Sequence, residues 1–185
     1  PGVTCTTMDD VAVVAAQIER TPRSVVDVTL RCPLGLPVVI SVPPFLDDGT
    51  PFPTSSWLTC PLAVRRIGRV EADGGVHAAE ALIRADPDFA AANDRAMVRY
   101  GDDRDALIAD DHEGPRPAGG VGGSQAGVKC LHAHYADHAA GNDNPIGTWV
   151  APRVEPLNCT VMCAAEIEGV VVRNPEWVEP ALPGR

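Results

Sequence analysis

Val11, Val14, Ala15 and Ile18 recur at the i, i+3, i+4, i+7 spacing of one helix face, which predicts a first helix over residues 9–20. Thr7 or Asp9 supplies its cap, and Thr21-Pro22 ends it. Val26, Val28 and Leu30 alternate instead, predicting a strand over 25–31, and the β-branched run 37–42 predicts a second. The short Cys32-Pro33-Leu34-Gly35 link between them suits a hairpin. Residues 43–57 are proline-rich and carry the turn signals Asp48-Gly49 and Pro51-Phe52-Pro53.

Further helices are expected over 61–73, stopped by Gly74-Gly75, and over 77–85 and 87–100. Phe89, Ala92, Ala96 and Tyr100 form the apolar face of the last of these. From Gly101 the chain turns acidic and then rich in Pro and Gly, predicting a short helix near 104–110 and a flexible loop over about residues 112–127. A helix over 126–140 ends at Gly141-Asn142. A turn after Pro145, the Cys159–Cys163 segment and a last strand near 166–172 follow, and residues 174–185 read as a tail. The pattern as a whole predicts an α+β fold: a small, mostly antiparallel sheet, joined by the C-terminal strand and packed by four to five helices. It forms a single domain over residues 1–173.

Composition narrows the functional classes. At 185 residues and 45% hydrophobic, the chain is large enough for a core without staples, and with 4% aromatics that core rests on Val, Leu, Ile and Ala. The formal charge of −10 argues against general nucleic-acid binding, which needs a basic footprint. It leaves room for a small anionic ligand in a local basic pocket, with Arg23, Arg31, Arg65 and Arg66 as sources of charge, although Arg65 and Arg66 read more simply as a solvated helix face. No apolar run approaches the roughly 18–20 residues of a membrane span. The residues given show no secretory signal pattern, and six widely separated cysteines in a chain this long fit a reducing, cytoplasmic location. A homo-oligomer is compatible with this composition.

The candidate chemistry centres on cysteine. Cys60, before Pro61, sits where a helix N-cap is expected. Cys130 falls in the first turn of another helix behind a glycine-rich run, and Cys32 precedes Pro33 at a strand end. Helix N-termini and nearby cations favour the thiolate, which is both nucleophile and metal ligand. At helical spacing Cys130, His134 and His138 form one stripe, with His132 about 200° away from Cys130. Cys32, Cys60, Cys130 and His134 are therefore the expected metal ligands, with His132 or His134 as acid or base. No Cys-x-x-Cys pair occurs, which favours an open site over a closed structural zinc. An iron–sulfur cluster and zinc fit equally. Cys159 and Cys163, four apart, share a face if helical.

Gly127 and Lys129 close the run 119–129, whose amides are candidates for an anion cradle, although neither a P-loop nor a Rossmann order is present. Two other readings stand beside the metal site. One is a metal-free hydrolase or transferase with Cys60 or Cys130 as nucleophile and His132 or His134 as base. The other is a non-enzymatic module that docks through Phe45, Phe52 and Trp57.

Several of these segments together resemble the domain-of-unknown-function family 501, common in actinobacteria. They are Arg31-Cys32-Pro33, Asp48-Gly49-Thr50-Pro51-Phe52-Pro53-Thr54, Leu58-Thr59-Cys60-Pro61, Val128-Lys129-Cys130-Leu131-His132-Ala133-His134 and Gly141-Asn142-Asp143-Asn144-Pro145. With Pro22-Arg23 and the first helix, the resemblance spans most of residues 8–150. Members sometimes carry a septum-formation label, so the resemblance adds a place in a cell-division or envelope complex to the docking reading. The chain departs from the usual pattern at Ser55-Ser56-Trp57 and at Ser124-Gln125-Ala126-Gly127.

Overall fold

The hairpin expected around Cys32 forms, and the fold is arranged about its second strand. In the computed structural model, which describes residues 8–183, β1 (Asp27–Arg31) pairs antiparallel with β2 (Pro37–Ser41), setting Val28 opposite Ile40. A third strand, β3 (Ser56–Leu58), continues the sheet on the other edge of β2. It lies in the stretch read as a proline-rich loop, and three residues are too few to display an alternation. With strands on both edges and packing on both faces, β2 is buried from Pro37 to Ile40. That explains its continuous apolar run.

Helix α1 (Asp10–Ile18) begins where Asp9 accepts a hydrogen bond from the Ala12 amide. Its Val13 enters the main core with Val38, Val39, Leu62 and Tyr135, while Val14 joins Ile40 and Val42 in a smaller one. Helices α2 (Pro61–Ala72), α4 (Pro87–Asp105) and α6 (Pro145–Val150) each start with proline behind an extended cap residue: Cys60, Asp86 and Asn144. Between them lie α3 (Gly75–Ala85) and α5 (Leu131–Ala139). Several boundaries differ from the sequence reading, and α5 starts at Leu131 rather than at 126. Helix α4 runs through the expected break near Gly101, and α6 stands where a turn was expected, although Asn144-Pro145 is a cap signal in its own right.

The C-terminal strand is a correction. Residues 164–173 form a separate hairpin, β4 (Ala164–Ile167) with β5 (Val170–Arg173), turning at Glu168-Gly169, where both φ angles are positive. This two-stranded sheet does not join the first; it packs beside α1. Nor do residues 112–127 hang free: Val121 and Ser124 are buried, and the Phe45 ring stacks on His112 with centroids 4.5 Å apart. Phe45, Phe52 and Trp57, expected as docking anchors, are half-buried, with Phe52 and Trp57 packed on each other.

Three polar devices lock the layers. The Tyr100 hydroxyl of α4 accepts hydrogen bonds from the amides of Ser55 (2.6 Å) and Ser56 (3.2 Å) at the start of β3. The fully buried Asp137 carboxylate of α5 accepts from Asn142 and Asn144, 2.9 Å each, and pairs with Arg99 of α4. The third device is Arg66, expected on a solvated face and found 3% exposed. Its guanidinium donates to the carbonyls of Val154 (2.5 Å), Pro156 (2.7 Å) and Pro180 (3.0 Å) and to Asn158 Oδ1 (2.8 Å). The described part of the expected tail is thereby fastened across α2, with Glu179 paired to Arg69 and Trp177 buried.

Gly147 sets how closely α6 meets α5, because a Cβ there would stand 2.3 Å from the Cβ of His138 and 2.4 Å from the His134 carbonyl oxygen. Gly147→Ala therefore destabilises the fold, by about 2 kcal/mol as for overpacking elsewhere. Arg66→Ala removes hydrogen bonds from a buried charge and costs about 3 kcal/mol. Urea unfolding checks both: each variant lowers the midpoint, and in Arg66→Ala backbone amides near Trp177 lose protection from hydrogen exchange.

Candidate functional site

The α2–α5 contact positions a three-residue cluster. Glu71, on the last turn of α2, reaches across to α5, where its Oε1 accepts the Leu131 amide at 2.6 Å. A carboxylate there suits the positive end of a helix. Its Oε2 lies 3.3 Å from His132 Nδ1. The other ring nitrogen, Nε2, stands 3.1 Å from the Val64 carbonyl, an acceptor only, so Nε2 carries the proton and donates. Nδ1 is left facing Glu71, with the Cys130 sulfur close to the same imidazole. Donor atoms of Glu71, Cys130 and His132 all lie within 4.8 Å of one another.

This arrangement reverses the helical-wheel expectation, which set His132 apart from Cys130. Cys130 is the N-cap of α5, with extended φ −162° and ψ 138°, so it lies outside the helix and the 100° step between residues does not apply to it. His134, placed on the Cys130 stripe, points into the core and is 1% exposed. Its Nδ1 donates to Asn144 Oδ1 at 3.1 Å. Burial lowers its pKa below the usual range, against the hydrogen bond to Asn144 and the nearby Asp137 charge. The His132 pKa moves the other way. Burial opposes the charged form, but the Cys130 hydrogen bond and the Glu71 charge outweigh it and raise the value.

Cys130 and His132 open onto a cavity of about 590 Å³. Trp57, Leu58 and Ala133 give it apolar wall, and four basic side chains, Arg20, Arg65, Lys129 and Arg173, stand around it with Glu19 as the acid among them. A chain of net charge −10 thus presents a cationic hollow. Lys129 donates from Nζ to the Gly122 carbonyl at 3.0 Å, on the cavity rim. Gly127 does not line the cavity; its carbonyl accepts the Ser124 hydroxyl at 3.0 Å. Three amides of the glycine run are used internally, Gly120 bonding to Ser124, Gly123 to Gly120 and Ser124 to Val121. The four positive side chains give the hollow its charge.

Cys32 and Cys60 lie elsewhere. They face a smaller chamber together with Cys159 and Cys163, on the other side of Gln17 and Pro61. Cys60 is the α2 cap that was expected, but burial pushes its thiol up to about 12, against the amides of Ala63 and Leu62, with Cys163 adding to the rise. Desolvation wins over the helix terminus there. Cys5, the sixth cysteine, lies outside the described residues. Cys159 and Cys163 precede β4 in an irregular segment, so no shared helix face relates them. Glu71 is the site residue that sequence reading missed: on the helical pattern it is one more polar residue on the last turn of α2, and nothing local links it to Cys130.

A family model described as protein of unknown function (DUF501) matches residues 28–152, more than half of the chain. Neither a curated protein nor a solved structure matches. The matched span holds Cys32, Cys60, Glu71, Cys130 and His132, while Cys159 and Cys163 fall beyond it.

The buried His134 sets a pH dependence. Unfolded, its imidazole binds a proton near pH 6.5; folded, it does so only at lower pH. The unfolded state therefore holds more protons below about pH 6.5, and stability falls as pH drops through that window. The raised pKa of His132 acts in the opposite sense over this range, so the check is a comparison: from pH 7 to 5 the urea midpoint falls more, or rises less, in the wild type than in His134→Gln.

Proposed function

The chain belongs to the DUF501 family, whose description carries no activity, and from the site alone we propose that it is a metal-binding protein using Glu71, Cys130 and His132 as ligands beside a cationic cavity for a small anionic substrate. The carrying observation is the mutual approach of those three donor atoms within 4.8 Å, with Cys130 and His132 on the cavity wall. One sulfur, one imidazole nitrogen and one carboxylate oxygen form a donor set that suits zinc. Each ligand is also oriented from behind, as metal ligands commonly are: His132 Nε2 by the Val64 carbonyl, Glu71 Oε1 by the Leu131 amide, and Cys130 Sγ by the Ala133 amide at 3.4 Å. Thiolate and carboxylate together balance a divalent charge.

Three protein ligands leave a position open toward the cavity, and a metal so held polarises a substrate oxygen or activates water. The chain's own residues then bind and orient. Arg20, Arg65, Lys129 and Arg173 attract an anionic group, Trp57 and Leu58 cover its apolar part, and the cavity volume suits a small molecule rather than a polymer. The five described cysteines are free of disulfides, which supports a reducing compartment such as the cytoplasm. Among the described residues, no helix is long and apolar enough to cross a membrane.

A second reading rests on the closeness of the Cys130 thiol to His132, a nucleophile beside a base whose Nε2 is held by the Val64 carbonyl. Metal analysis separates the two. The metal reading expects about one zinc per chain at this site, lost in His132→Ala and in Cys130→Ser with secondary structure retained. Zinc content unchanged in both variants overturns it. Fast, selective alkylation of Cys130 by iodoacetamide in protein isolated without metal favours the nucleophile.

A further inference from the structure

The second chamber holds a chemistry that the Glu71–Cys130–His132 cluster does not use. Four thiols converge on it from three separate parts of the chain: Cys32 from the β1–β2 turn, Cys60 from the cap of α2, and Cys159 and Cys163 from the irregular segment before β4. Cys60 and Cys163 are buried, and Cys32 and Cys159 half-buried. No charged side chain or histidine lines the chamber; its remaining wall is mostly hydrocarbon, including Leu36, Leu157 and Trp177. Two of the sulfurs receive N–H donors, Trp177 Nε1 to Cys159 at 3.4 Å and Gln17 Nε2 to Cys163 at 3.5 Å.

Such donors stabilise negative charge on sulfur. A neutral thiol used only as a small packing group does not need them. The Arg66 guanidinium also stands near enough for the charges of Cys159 and Cys60 to act on it, placing a fixed cation beside the cluster. All-sulfur donors in an apolar shelter select thiophilic metals and reject calcium and magnesium. We infer that Cys32, Cys60, Cys159 and Cys163 form a tetrathiolate metal centre, taking either a zinc ion or an iron–sulfur cluster.

The site is assembled by folding rather than by a local motif. The four sulfurs line one chamber of about 10 Å³, and no three of them lie within 4.8 Å of one another, unlike the Glu71–Cys130–His132 donors. Closure on a metal falls to the two elements whose thiols are partly exposed, the Cys32 turn and the segment carrying Cys159. This inference does not depend on the function proposed above, because the two sites share no ligand.

The test is metal and sulfide analysis of the full chain, purified anaerobically and again after reconstitution with ferrous iron and sulfide or with zinc. Cys32→Ser and Cys159→Ser are the chosen variants, because those side chains are partly exposed; Cys130→Ser is the control. Equal iron and acid-labile sulfide, with thiolate-to-iron absorption lost in both variants and kept in Cys130→Ser, establishes the centre as a cluster. Loss of one zinc equivalent in both variants, additional to any lost in Cys130→Ser and without iron, establishes it as a zinc site. If the variants fail to fold, cobalt(II) added to metal-free wild-type protein tests the same centre: intense thiolate-to-cobalt absorption, with protection of four thiols from alkylation, supports it. Folded variants that keep all their metal, or wild-type protein that binds none of these metals and leaves the four thiols unprotected, overturn it.

Discussion

Removing a guanidinium from water is costly unless every donor direction finds an acceptor. Arg66 meets that demand at both terminal nitrogens, though not at Nε, only because the chain folds back over α2: its partners come from residues 154, 156, 158 and 180, far from it in sequence. Burial accordingly lowers its pKa, with Glu179 acting against that shift. The obligation runs both ways. Once α2 is packed, the charge demands the C-terminal segment, and the segment brings Cys159, Cys163 and Trp177 over the α2 terminus. Without Arg66, the C-terminal hairpin would keep its contacts with α1 and the place of Ala164 in the main core, but residues 154–158 and 180 would lose their polar tie to α2.

The cysteines show how two opposing forces divide the chemistry of one chain. Helix termini and prolines mark Cys60 as a favourable place for a thiolate, and the backbone amides there do act in that direction. Desolvation by the surrounding hydrocarbon acts more strongly. Cys130 also caps a helix, but it stands at a cavity wall beside a histidine and a carboxylate. The same local motif therefore gives a deep thiol in one place and an accessible one in the other. Gln17 and Pro61 separate the two compartments, so the chamber and the cavity are neighbours across a wall one side chain thick.

Much of the fold was legible because its signals are local. Proline behind a polar or small cap marks the starts of α2 and α4, and the β1–β2 hairpin follows from a short turn between apolar runs. The failures come where tertiary structure decides. The wheel argument assumed that Cys130 lies inside α5, and one extended residue moved His132 to its side and sent His134 into the core. Arg66 and Arg65 look alike in sequence, yet one is buried and the other stacks on Trp177 with its guanidinium 5.0 Å from the ring. Strand β3 is too short to carry a period, and its place is fixed by β2 and Tyr100. For the site, the sequence supplied Cys130 and His132 but not Glu71, since their meeting depends on how α2 crosses α5. The grouping of Cys32 and Cys60 was anticipated; their partners were not, because 159 and 163 reach them only through the fold-back over Arg66.

Tyr100 has a bearing on how the molecule meets copies of itself. An outer strand with free amides is a template on which another chain can extend the sheet. Here the phenol oxygen occupies the amides at the start of β3, and α5 packs alongside that strand. The edge is sealed from within by a ring from α4, without the lysines or bulges that often do this work. Strand addition by a second copy is thereby closed off at β3 and left to β1, the opposite and more exposed border of the same sheet.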